Sequence, residues 1–119
     1  METAIQQSIT LEEGIPCNFE ITFLDANSDP VNLTGYSFIL HAKKSLKDTS
    51  PAIALSTTTG TITSEPLLGK IVLKFSGPDS KNKDPMLVYD LIGFETSSVP
   101  FKIAKGTIEI IQTITEWLS

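Results

Sequence analysis

The chain has 119 residues, 40% hydrophobic and 19% charged, which is a globular balance rather than a disordered one. At about 150 residues per domain it makes a single domain, 1–119, with a core able to stand without staples. Its 9 basic residues, all lysine, face 14 acids for a net charge of −5, and it holds 1 cysteine and 1 histidine. These counts argue against a nucleic-acid binder, a disulfide framework, a multi-cysteine metal cage and a histidine-based proton shuttle.

Residues 1–7 show neither a basic leader nor an apolar signal core, and no stretch reaches the roughly 20 apolar residues of a membrane helix. The expectation is a chain made in the cytoplasm that does not insert in a membrane. From there period-2 patterns run to the end, and helical spacing is hard to find. Ile5 to Leu11 is a short strand candidate. Cys17, Phe19, Ile21 and Phe23 alternate with Asn18, Glu20 and Thr22, a half-buried strand. Tyr36, Phe38, Leu40 and Ala42 repeat the pattern against Ser37, His41 and Lys43. Ala52–Ser56 and Thr61–Ser64 are shorter candidates. Ile71, Leu73 and Phe75 alternate with Lys70 and Lys74. Residues 78–85 are polar with room for one helical turn. Met86–Phe94 turns Leu87, Tyr89 and Leu91 one way and Asp90 the other. Phe101–Ile103 is short, and Gly106–Thr115 closes the series with Ile108, Ile110 and Ile114 on one side.

Glu13-Gly14, Asn27-Ser28-Asp29-Pro30, Thr59-Gly60, Leu68-Gly69 and Ser76-Gly77-Pro78-Asp79 punctuate the series with residues that accept turn geometry. Seven to nine short strands so separated predict an all-β antiparallel sandwich, each strong strand burying one apolar face.

Candidate chemistry is thin. Cys17 and His41 are the one nucleophile–base combination, but Cys17 shares the face of Phe19 and Ile21, whereas His41 falls on the solvent parity beside Lys43. Asp25, Asn27 and Asp29 offer three alternating oxygen side chains for an ion, against the simpler reading that turns favour Asn and Asp. Thr57, Thr59, Thr61 and Thr63 alternate, which reads as an exposed strand or hairpin. Asn32-Leu33-Thr34 matches a glycosylation acceptor by chance. No glycine-rich phosphate loop opens a helix. The expectation is no enzyme, no catalytic residue, no cofactor and no metal.

Surfaces remain. Trp117 and Leu118 lie at the C-terminus, where a tryptophan either covers its own sandwich or docks on a partner. The first segment, with Ile5, could form an edge or swapped strand. Phe94, Phe101 and Trp117 fall outside the inward-facing aromatic set, so Phe101 joins Trp117, Leu118 and Ile5 as an interface candidate.

The order of signals resembles a known family. Leu11-Glu12-Glu13-Gly14 leads into Phe19-Glu20-Ile21-Thr22-Phe23, then Pro30-Val31-Asn32-Leu33-Thr34-Gly35-Tyr36, and later Tyr89-Asp90-Leu91 and Gly106-Thr107-Ile108-Glu109-Ile110. This is similar to the immunoglobulin-like domain of tailed-phage virion proteins, as at the N-terminus of baseplate upper proteins. Pro30 to Tyr36 is its most specific part. Asn27-Ser28-Asp29, Asn32 and Glu95-Thr96-Ser97-Ser98 depart from the family's usual Asp and Asp-Gly residues, which bears on turn geometry more than fold.

The resemblance implies an immunoglobulin-like sandwich serving as a structural subunit in the virion, in its tail, baseplate or fibre attachment. Its partners would be other virion proteins and symmetry mates, as a homo-oligomer of unfixed number. A head decoration protein cementing the capsid is an alternative within the virion. A host-surface glycan binder is another, because sandwiches often carry lectin sites.

Overall fold

The computed structural model describes residues 5–45, 47, 49–81, 85–95 and 100–112. Among them nine strands form two packed sheets: β1 (Ile5–Gln6), β2 (Ile9–Glu12), β3 (Cys17–Thr22), β4 (Ser37–Lys43), β5 (Ile53–Ser56), β6 (Ile62–Glu65), β7 (Lys70–Phe75), β8 (Met86–Phe94) and β9 (Pro100–Ile111). One sheet has six strands in the order β1-β9-β8-β4-β5, with β2 also on β9; the other has three, β3-β7-β6. This is an all-β sandwich.

Strand parity builds the core. Phe38, Leu40 and Ala42 of β4, Leu87 and Leu91 of β8, and Ile71 and Leu73 of β7 are each at most 1% exposed. Burying such side chains is worth about 1.5–3 kcal/mol apiece, which makes alternate apolar placement the dominant stabilising term. β9 joins the segments that the sequence pattern separates. Leu91 pairs with Ala104 but Ile92 with Lys102, so Ile103 is a bulge residue. Ile103 and Ala104 are both buried, and two inward residues in succession break the alternation that marks a strand.

The helical turn α1 (Gly77–Ser80) begins one residue earlier than expected, with the Ser76 N–H donating to Asp79 Oδ2 at 2.8 Å. Its Ser80 hydroxyl accepts the Gly14 N–H at 2.8 Å, which ties the β2–β3 turn to the β7–β8 connection. The threonine run is not an exposed strand or hairpin throughout. Thr57–Gly60 is a turn that carries the chain from β5 in one sheet to β6 in the other. Ser56, Thr59 and Thr61 join hydroxyls across it at 2.8–3.1 Å, the local bonding that draws Ser and Thr out of ladders.

The N-terminal segment is an edge of its own sheet. β1 and β2 share one parallel register on β9, Ile5 opposite Ala104 and Ile9 opposite Ile108. Between them the Gln7 N–H donates to Lys105 O at 2.9 Å, and the Gln7 carbonyl accepts the Tyr89 hydroxyl at 2.6 Å. The chain passes so close that a Cβ at Gly106 would overlap the Gln7 carbonyl.

Burial pushes the Tyr89 phenol up to about 12. The folded state favours its neutral form, so its contribution is complete below pH 10, where an unfolded tyrosine begins to ionise, and is lost as the pH rises through about 12. Tyr89→Phe should cost about 1 kcal/mol at neutral pH, because Gln7 loses its donor. Urea unfolding followed across pH 9–12 should show a shallower loss in the variant than in the parent. An unchanged slope would exclude Tyr89 as the titrating group. Some slope remains from Tyr36, whose phenol is raised by burial and then by Glu95.

Candidate functional site

The outward face of the six-stranded sheet brings the single histidine together with three lysines and an aspartate. Register places His41 opposite Asp90 and Asp90 opposite Lys105 in one row across β4, β8 and β9. The row on one side reads Lys43, Val88, Thr107, and on the other Ile39, Ile92, Lys102. Of these residues His41, Lys43, Val88, Asp90, Lys102, Lys105 and Thr107 line an open trough of about 490 Å³. Lys102 Nζ lies 3.4 Å from Asp90 Oδ2, a solvent-exposed ion pair. Among the described residues, Lys43 and Lys105 have no carboxylate partner.

The trough is therefore cationic on a chain of net charge −5, and the excess acid lies elsewhere on the chain. Half-buried Ile39, Val88, Ile92 and Phe94 give the same face an apolar component. The sequence held the signal: Val88 and Ile92 share the parity of Asp90 in a strand whose other parity is buried, and only the register shows which lysines from β4 and β9 join them.

The expected site residues separate. Cys17 begins β3 in one sheet and packs half-buried against the core, while His41 is exposed on β4 in the other, so they form no catalytic pair. In the 25–29 turn the Asp25 Oδ1 accepts the Asn27 N–H at 2.8 Å and the Asp29 N–H at 3.0 Å. That carboxylate shapes the turn, and Ser28 takes the positive φ of 65°. Among the described residues no group of three or more His, Cys, Asp or Glu could hold a metal.

Ile5 sits on β1 against Ala104. Phe101 is not free: its ring meets Tyr36 edge-on at 5.9 Å, packs half-buried on the core and lies over Gly93. It fell outside the inward set because the bulge at Ile103 reverses parity before it. Trp117 and Leu118 lie outside the described residues. Sequence reading also passed over Leu24, Leu67 and Leu68, exposed by 55%, 75% and 54% around the β3–β4 corner. Pro66-Leu67-Leu68 forms a short 3-10 turn that leaves both leucines outside the sheet parity used to find core residues.

No family model matches the chain, and no curated protein matches it. Among the described residues no helix is long and apolar enough to cross a membrane.

Proposed function

We propose that this chain is an immunoglobulin-like structural module of a tailed-phage particle, placed in its tail or baseplate and working by protein–protein contact. The observation that carries the contact role is the cationic, partly apolar outer face of the six-stranded sheet on an otherwise acidic chain. Such a face favours a partner with acidic side chains and an apolar centre.

Strand order supports the immunoglobulin-like part of the reading. β3-β7-β6 has the order of the B, E and D strands, while β5-β4-β8-β9 follows C′, C, F and G of a variable-type domain. The phage part rests on the resemblance at Pro30 to Tyr36, and that segment has a defined mechanical role here. Pro30 bridges Leu24, the Val31 N–H donates to Phe23 O at 3.0 Å, and the Leu33 N–H donates to Pro66 O at 3.0 Å. Leu33 is 2% exposed and Gly35 has φ 85°, so the segment turns the chain from one sheet to the other around a buried anchor.

Purified tailed particles labelled with a gold-tagged antibody to the chain should carry gold at the tail. Lys102→Glu with Lys105→Glu should leave the fold within about 1 kcal/mol, as surface changes do, yet prevent incorporation. Unlabelled particles with the chain left free in the lysate would overturn the assignment.

A further inference from the structure

Strand β3 leaves a row of backbone groups without a partner among the described residues. Among the described residues it ends the three-stranded sheet and pairs on one side only, with β7. The Phe23 N–H donates to Gly69 O at 2.7 Å, one step beyond the Thr22–Lys70 pair. Antiparallel bonding alternates, so Phe19 and Ile21 aim their amides at β7, while Asn18, Glu20 and Thr22 aim theirs at the open edge.

Exposed edges are normally blunted by proline, lysine, a bulge or shortness. β3 runs 6 residues with no proline, lysine or bulge, and its one charged side chain, Glu20, lies 3.8 Å from Lys70 of β7. The edge strands β5 and β6 have only 4 residues each, and the N-terminal edge on β9 is split into β1 with 2 residues and β2 with 4. The side chains agree with the backbone. Cys17, Phe19 and Ile21 are half-buried, whereas their β7 partners Phe75, Leu73 and Ile71 are at most 2% exposed. On this side the core stops one strand short.

We propose that the open edge of β3 pairs with β3 of a second copy, antiparallel about a two-fold axis at Phe19, fusing two three-stranded sheets. Only another extended strand satisfies a row of alternating N–H and C=O groups. Keeping both apolar faces on one side requires residues of equal parity to oppose each other. With Phe19 on the axis, Asn18 faces Glu20 and Cys17 faces Ile21 of the other copy. Moving the axis to Glu20 would oppose two carboxylates. In the Phe19 register the phenylalanines form a non-hydrogen-bonded pair with Cα atoms about 4.5 Å apart, the geometry in which cross-strand aromatics gain most. The contact is isologous and closes at two copies. It does not depend on the particle assignment.

Sedimentation equilibrium of the full chain over a concentration series tests this. The parent should pass from monomer to dimer. Asn18→Pro removes an edge donor without touching a β7 bond, so it should fold and stay monomeric. A second variant covers the case in which that one misfolds. Phe19→Cys in a Cys17→Ala background should give a disulfide dimer in a glutathione redox buffer, because the axis pair lies within disulfide reach. A parent that stays monomeric at millimolar concentration overturns the proposal. So does a dimer that persists in a folded Asn18→Pro chain, or a Phe19→Cys chain that resists cross-linking.

Discussion

Phe38→Ala is expected to remove about 4 kcal/mol of folding stability and to lower the thermal midpoint by roughly 15 °C. Phe38 is 0% exposed, and its ring lies 6.1 Å from that of Phe23 and 6.4 Å from that of Tyr36, centroid to centroid. Phe23 belongs to the corner after β3 and Tyr36 to the corner before β4, so this ring joins the two sheets where the chain crosses between them. Its backbone is committed as well: Phe38 O accepts the Thr57 N–H at 3.0 Å. With its backbone fixed on both sides, β4 has little freedom to collapse into the space an alanine would leave. The cavity term therefore adds to the lost transfer energy. A domain of this size holds about 5–15 kcal/mol in total, so the variant would sit near the threshold of folding. Urea denaturation with calorimetry measures the loss. A deficit below about 2 kcal/mol would mean that Phe23 and Tyr36 close over the gap.

Phe38 also shows what the sequence could reveal. Its place follows from two-residue periodicity alone, as do those of Leu40, Leu73 and Leu91, because a pleated strand with one buried face must alternate. The same rule failed at Phe101, where the bulge at Ile103 breaks the parity, and at Thr57–Gly60, where threonines suited to a strand instead bond each other across a turn. The cationic face was half visible. Lys43 and His41 could be read as outward, but their meeting with Lys102 and Lys105 depends on which strands are neighbours, and alternation carries no information about sheet order. The open edge of β3 was hidden for that same reason. The first segment, legible as an edge or swapped strand, is an edge on β9, and among the described residues it leaves β3 uncovered.

Gly69→Ala should cost about 3 kcal/mol, while Gly60→Ala should cost only about 1 kcal/mol, although both glycines have positive φ. The angles are 63° at Gly69 and 82° at Gly60, so the conformational penalty of adding a Cβ is comparable at the two sites. The surroundings differ. Nothing lies within 4 Å of a Cβ at Gly60, whereas at Gly69 it would stand 2.6 Å from Phe23 O and 2.9 Å from Val31 N. Those are backbone atoms, and they belong to the Phe23–Val31 hydrogen bond that closes the β3–β4 corner. Relief would require moving the strand end or opening that bond, and either would disturb the segment from Pro30 to Tyr36. The difference between the two variants isolates the steric term from the backbone term. Amide exchange should accelerate at Val31 and Leu33 in Gly69→Ala and remain unchanged there in Gly60→Ala. Equal losses for both substitutions would show that the corner yields freely, and the mechanical role given to Pro30–Tyr36 would fall with it.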